Sequence, residues 1–172
     1  IDAKKTEQTA LKKQIAKLEE EIGKMDQAAT KAKKQRKKTN DLYKEASSDL
    51  SKTRKAVKQC IKALEDAGEA TSLVQNKVKG VLALVESSVS EDQRQTLQQF
   101  TEPVDVAAMG DRKAHVKKYS FKSGNVIELL KQLALKFEDD LVQVEKEETN
   151  SLNAYDLAKD ARDNSKKAEI GR

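Results

Sequence analysis

The chain has 172 residues, of which 34 are basic and 29 are acidic, so that its formal net charge is +5. Charged residues make up 37% of it and aromatic residues only 3%, with 6 glycines, 1 proline and 1 cysteine. This composition favours long helices over strands, excludes an internal disulfide and supplies too few Cys and His residues for a zinc site.

The first predicted element is one long helix over residues 3–67. Its apolar residues recur at alternating steps of four and three, which is the heptad pattern of a helix packed against another helix. A helix of this length needs such a partner, because propensity alone gives marginal stability in water. The apolar stripe begins with Leu11, Ile15, Leu18, Ile22 and Met25, and it returns with Tyr43, Leu50, Val57 and Leu64. Cys60 also falls on the stripe and is predicted to be buried, with an intermolecular disulfide as the alternative.

The middle of this stripe is polar. Ala29, Ala32, Arg36 and Thr39 offer little apolar surface, and a basic run covers residues 31–38. This pattern indicates a gap in packing or a partner that supplies acidic groups. The lysines of the run could instead form a solvated helix face, or bind phosphate or a membrane surface. The lysines predicted to contact a partner are Lys33, Lys34, Lys37 and Lys38.

Two short helices are predicted next, over residues 70–86 and 91–100. Ser90 and Gln93 have the spacing of a capping box at the start of the second one, and Leu97 and Phe100 are its apolar anchors. Residues 101–124 show no clear period and are predicted to form a loop. This loop contains His115, the only histidine, which is read as an ordinary surface residue.

The last predicted element is a second long helix over residues 125–167, with Ser123 as its N-cap. Its stripe includes Ile127, Leu130, Phe137, Leu141 and Val144, followed by the polar Glu148. The acidic residues around Glu148 complement the basic run, so that charge helps to set the register if the two long helices pair antiparallel. The stripes of the two helices predict an all-α fold, an elongated antiparallel bundle or coiled coil with two short helices, as a single domain over residues 1–172.

Catalysis and cofactor binding have no support in the sequence. It contains neither a Gly-rich phosphate loop nor a nucleophile motif. Acidic clusters at residues 138–140 and 145–148 lack the spacing of an EF-hand loop, so that weak calcium binding stays open and no cofactor is predicted. No apolar run approaches the length of a membrane span. The interpretation is a protein that is not an enzyme, has no small-molecule substrate and binds other subunits.

Several segments resemble the trichocyst matrix proteins, which are known from ciliates and have relatives in dinoflagellates. The resemblance lies in YSFKSGNVIELL at 119–130, KFEDDL at 136–141, EKEETN at 145–150 and NAY at 153–155, with weaker similarity at 40–43 and 57–64. It implies a structural protein of an extrusive secretory granule, cleaved from a precursor, assembled into a crystalline lattice and extracellular after discharge. A chain beginning with Ile1 fits a cleaved product, and equally a truncated one. Unlike many members of that family this chain is basic, which suggests an acidic homologue as its partner.

The predicted function is therefore assembly into a filament or lattice, as a homo-oligomer or with a different subunit. Leu11, Ile15, Leu18, Ile22 and Met25 are the predicted intersubunit anchor, because the first helix is longer than the second. A coiled-coil scaffold of another family is one alternative. A basic nucleic-acid-binding module is the other, although the excess of positive charge is small and aromatic residues for base stacking are few.

Overall fold

A computed structural model describes residues 2–67, 72–102 and 112–171, and all side chains among them except those of residues 72 and 112–123. Its helices are α1 (Asp2–Asp66), α2 (Ser72–Val85), α3 (Glu91–Thr101) and α4 (Arg112–Ile170), with a short 3-10 turn at Glu86–Ser88. The two long helices α1 and α4 pack antiparallel, with the two short helices between them. The prediction of an all-α fold with two long and two short helices is confirmed.

The main difference from the predicted elements lies at the start of α4. This helix begins at Arg112, so the predicted loop is wrong for residues 112–124 and Ser123 is not an N-cap. Residues 112–124 contain no proline and are rich in Lys and Arg, which are good helix formers, while Gly124 costs a helix at most about 1 kcal/mol. Their sparse apolar residues hid the helical period. The part of the predicted loop at residues 103–111 and the side chain of His115 lie outside the described residues.

The chain folds as two compact units. Unit 1 comprises Ile1–Glu45 and Val144–Arg172, and unit 2 comprises Ala46–Gln143. Each unit therefore contains a part of α1 and a part of α4, while α2 and α3 belong to unit 2. A single domain over residues 1–172 stays a prediction.

Unit 2 contains the buried core of the described residues. Parts of α1 and α4 pack there with α2 and α3, so that each helix buries one apolar face against the others. Leu97 and Leu130 are fully inaccessible to solvent, and Cys60 is a buried free thiol, as predicted. The core consists of Val57, Cys60, Leu64, Val74, Val78, Val81, Val85, Leu97, Phe100, Val126, Leu129, Leu130, Leu133, Ala134 and Phe137.

The predicted capping box at the start of α3 is confirmed. The Ser90 hydroxyl oxygen accepts a hydrogen bond from the Gln93 backbone N–H at 3.3 Å, and Gln93 Oε1 accepts one from the Ser90 N–H at 2.9 Å. These bonds satisfy two donors that a helix start otherwise leaves to water. Together with buried Leu97 and Phe100 they fix this short helix on the core.

Unit 1 is a pair of antiparallel helix segments. Every described side chain in it is half-buried or exposed. Lys166 on α4 binds Asp26 on α1, with its Nζ 2.6 Å from Oδ1 and 2.9 Å from Oδ2. Two helices bury only one narrow stripe each, so polar contacts have a larger share in holding this pair than in holding unit 2.

Candidate interaction surfaces

The N-terminal end of α1 is the largest exposed stretch of helix in unit 1. Residues 2–17 are all exposed, and Leu18 is the first half-buried residue of the chain. Leu11 and Ile15 expose 52% and 54% of their surface although they belong to the apolar stripe. We call residues 2–17 the free end of α1.

The free end exists because α4 is shorter than α1 in this unit. Lys166 reaches Asp26, and α4 ends four residues later at Ile170. In an antiparallel pair, those four residues extend along α1 only to about Ile22. Leu18, Ile22 and Met25 are accordingly half-buried, whereas Leu11 and Ile15 lie past the end of α4. The five predicted anchor residues are thus divided between the helix pair and solvent.

The polar middle of the α1 stripe meets the polar position of the α4 stripe. Arg36 Nη2 donates to Glu148 Oε1, and Asn40 Nδ2 donates to the same oxygen at 2.6 Å. Arg36 Nη1 also donates to the Thr39 hydroxyl oxygen at 3.2 Å. The side chains of Arg36 and Glu148 are only 12% and 14% exposed. The structure therefore supplies the acidic group from within the chain, and we call these four residues the polar cluster.

The polar cluster perturbs the titration of its carboxylate. The hydrogen bond from Arg36 is the largest cause that holds the pKa of Glu148 below its ordinary value of 4.5. Burial opposes this shift, whereas the hydrogen bond from Asn40 and the positive charges of Arg36 and Lys44 add to it. Glu148 is thus kept ionised between the helices. The sequence signals this pair by one charged residue on each of two otherwise apolar stripes, Arg36 on α1 and Glu148 on α4.

The lysines of the basic run lie outside this cluster. Lys33, Lys34, Lys37 and Lys38 are all exposed, while Arg36 alone of the run makes the interhelical pair. Leu42, which exposes 55% of its surface, follows them on α1 and lies beside the stripe, not on it. Leu42 is not among the residues predicted to contact a partner, because its only signal in the sequence is that it is an apolar residue outside the stripe.

The remaining predicted stripe residues take different positions in the two units. In unit 2, Val57, Leu64, Leu130 and Phe137 are buried, and Leu50, Ile127 and Leu141 are half-buried. In unit 1, Tyr43 and Val144 are half-buried. Helical packing of the stripe is therefore tight in unit 2 and looser in unit 1.

Within the described residues, no group of three or more His, Cys, Asp or Glu side chains is placed to hold a metal ion. Weak calcium binding stays an untested prediction. None of the helices in the described ranges combines the length and apolar character that a membrane crossing requires. Burial raises the pKa of the Cys60 thiol to about 11, so this sulfur is protonated and unreactive at neutral pH.

Comparisons with known proteins add no relative: no protein-family model, curated protein or solved structure matches the chain. The similarity to trichocyst matrix proteins therefore stays a prediction from sequence motifs.

Proposed function

We propose that the chain is a structural protein that assembles with other subunits into a filament or lattice, and that the free end of α1 is a subunit interface. The observation that carries the proposal is the exposure of Leu11 and Ile15 on a heptad stripe that continues past the end of α4. Such a stripe is typical of a helix whose partner lies on another chain.

The apolar surface of the free end makes a modest contribution to the free energy of association. Burying the exposed half of Leu11 and Ile15 contributes about 1 kcal/mol each. The two residues together, about 2 kcal/mol, correspond to roughly a thirtyfold change in an association constant. Weak contacts of this kind suit a protein that is packed densely with many copies of itself or of a related subunit.

The cellular setting of the proposal rests on the resemblance to trichocyst matrix proteins. We assign the chain to the matrix of an extrusive secretory granule, with release to the exterior on discharge. A coiled-coil scaffold of another family would use the same free end. Immunolocalisation in the cell of origin separates these two settings, because only a matrix protein is found in discharged extrusomes.

The interface is tested by sedimentation velocity of the full chain from about 1 to about 100 µM, a range in which moderate affinities give measurable association. Leu11→Gln with Ile15→Gln keeps the helix and removes the apolar surface, so we expect association to weaken by about thirtyfold. The matched control is Leu73→Gln with Leu135→Gln, two equally exposed leucines on α2 and α4 of unit 2. A wild-type chain that is monomeric throughout, or a control that weakens association as much, contradicts the proposal.

A further inference from the structure

A second exposed surface lies on the side of α1 that faces away from α4 in unit 1. Lys34, Lys37 and Lys38 form it with Leu42, at the spacing of one helix face. These four residues line a shallow depression together with Asp41 and Glu45, and Leu42 lies at the edge of the face beside Lys38. We call this surface the basic face.

The part of α4 in unit 1 carries a surface of the opposite charge. Asp156, Leu157 and Asp160 share one face of the helix, and Leu157 exposes 73% of its surface, the most of the large apolar residues. This face also points away from the stripe of α4, which carries Glu148 and Lys166. We call it the acidic face.

These two faces have matching chemistry: each has an exposed leucine beside charged residues, and the charges are opposite in sign. Within the described part of the chain, none of Lys34, Lys37, Lys38, Asp156 and Asp160 makes an ion pair. Since both faces are exposed and lie opposite their own stripes, they do not pair with each other within the unit. We infer that the basic face of one copy binds the acidic face of a second copy of this chain, which deepens the proposed assembly function and rests on it.

Charge also indicates the direction of the second helix. The three lysines precede Leu42 in α1, and Asp160 follows Leu157 in α4. An antiparallel crossing with Leu42 against Leu157 therefore brings Lys38 beside Asp160 and brings Glu45 beside Asn153. A parallel crossing would bring Glu45 beside Asp160, where like charges repel.

The same residues favour a protein partner over a nucleic acid. Asp41 and Glu45 line the depression and repel phosphate groups, and Leu42 contributes apolar surface to it. Phosphate-binding surfaces use continuous positive charge, often with aromatic residues for stacking, and this face has neither.

Pairing of two different faces has a geometric consequence. Because the first copy keeps its acidic face unused and the second copy keeps its basic face unused, the contact is heterologous and repeats from copy to copy without closing on itself, unless the rotation between copies forms a ring. The free end of α1 then supplies a second, independent direction of growth.

The contact is tested by disulfide trapping between two variants of the full chain, each with one introduced cysteine. Chains with Leu42→Cys, mixed with chains with Leu157→Cys and mildly oxidised, are expected to give the mixed dimer at least tenfold faster than Leu42→Cys mixed with the control Leu135→Cys. The native Cys60 does not interfere, because it is buried. Equal rates with the control, or faster dimers from either variant alone, overturn the inference.

Charge reversal tests the same contact without cysteines. Lys34→Glu with Lys38→Glu is expected to weaken association at least tenfold at low salt, and addition of Asp156→Lys with Asp160→Lys is expected to restore it. The control Lys55→Glu with Lys79→Glu, which makes the same charge change on exposed residues of unit 2, should have a smaller effect. Failure of the rescue, or loss of binding to a duplex DNA probe with association unchanged, overturns the inference.

The outcomes also separate this inference from the proposed function. If Leu11→Gln with Ile15→Gln weakens association and disulfide trapping fails, the free end is an interface and the paired faces are wrong. If trapping succeeds and the free-end variant associates like the wild type, the basic and acidic faces form an interface and the free end of α1 does not.

Discussion

Units 1 and 2 contain segments of the same two helices, and ion pairs join these helices in both, but the buried core lies in unit 2. In unit 2 the stripe residues Leu64, Leu130 and Phe137 are buried in a core to which α2 and α3 also contribute. In unit 1 the described side chains are at most half-buried, and the interhelical contacts include Arg36–Glu148 and Lys166–Asp26. The comparison shows that the apolar stripes of α1 and α4 form a buried core where the short helices α2 and α3 pack onto them.

Apolar burial and polar pairs between helices contribute differently to stability and to the alignment of the helices. Apolar burial supplies most of the stability, and it tolerates alternative packings of similar volume. A polar pair between helices adds less net free energy but penalises arrangements that leave its charges unpaired. We therefore assign stability mainly to unit 2 and alignment of the helices mainly to unit 1.

The largest expected effect comes from a cavity in unit 2. Leu130 is fully buried, so Leu130→Ala should lower the free energy of unfolding by about 2–5 kcal/mol. Leu135, on the same helix, is 64% exposed, and Leu135→Ala is expected to change it by less than about 0.5 kcal/mol. Urea unfolding followed by circular dichroism measures both, and similar midpoints for the two variants would contradict the described core.

A smaller effect is expected from breaking the polar cluster in unit 1. Arg36→Leu and Glu148→Leu should each destabilise the chain, because each leaves the other charge half-enclosed between the helices without its partner. The double variant replaces the pair with two apolar side chains on the stripes, and it should recover or exceed the wild-type stability. Thermal unfolding of the wild type, the two single variants and the double variant gives the coupling free energy between Arg36 and Glu148. Additive losses in the double variant would mean that Arg36 and Glu148 do not interact.

The same cluster predicts a dependence on pH. Because the folded pKa of Glu148 is lowered, its contribution to stability is present above the unfolded value near 4.5 and is lost as the pH falls through the folded pKa. The wild type should therefore lose its advantage over Glu148→Gln on acidification below about pH 4.5. Unfolding midpoints of both proteins between pH 7 and about pH 3 measure this, and a constant difference over that range would exclude the mechanism.

The smallest expected effect comes from the same substitution, glycine to alanine, made once in each unit. Gly23 in unit 1 and Gly80 in unit 2 lie inside helices, and a Cβ added at either position meets no atom within 4 Å. Gly23→Ala and Gly80→Ala should each stabilise the chain by about 0.4–1 kcal/mol, since alanine lowers the entropy of the unfolded state. Thermal unfolding detects such gains, and a loss at either site would show a closer neighbour than the structure describes.

Much of the fold follows from patterns that act over one or two helical turns. The heptad spacing predicts α1 because its signal is repeated along the whole helix, and the capping box at Ser90 predicts the start of α3 because its hydrogen bonds are local. The start of α4 was mispredicted because residues 112–124 have helix-forming composition but few apolar residues to reveal the period.

The candidate surfaces were less predictable, since they depend on where one helix ends beside another. The sequence indicated that Leu11 and Ile15 belong to a stripe, and the length difference suggested that they lie past the partner helix. The meeting of Arg36 and Glu148 required the register of the pair, which no single helix contains. Leu42 was missed because a lone exposed leucine resembles ordinary surface until its neighbours' charges are compared.

The polar cluster also disfavours a shift in register of one long helix along the other. Sliding by seven residues keeps every heptad position in phase, so apolar matching alone barely opposes the error. Such a slip would move Glu148 from Arg36 to Ala29 or Tyr43, and would move Arg36 to Tyr155 in one of the two directions. Each misaligned state would leave a half-buried charge without its partner, which raises the free energy of that state above the native register.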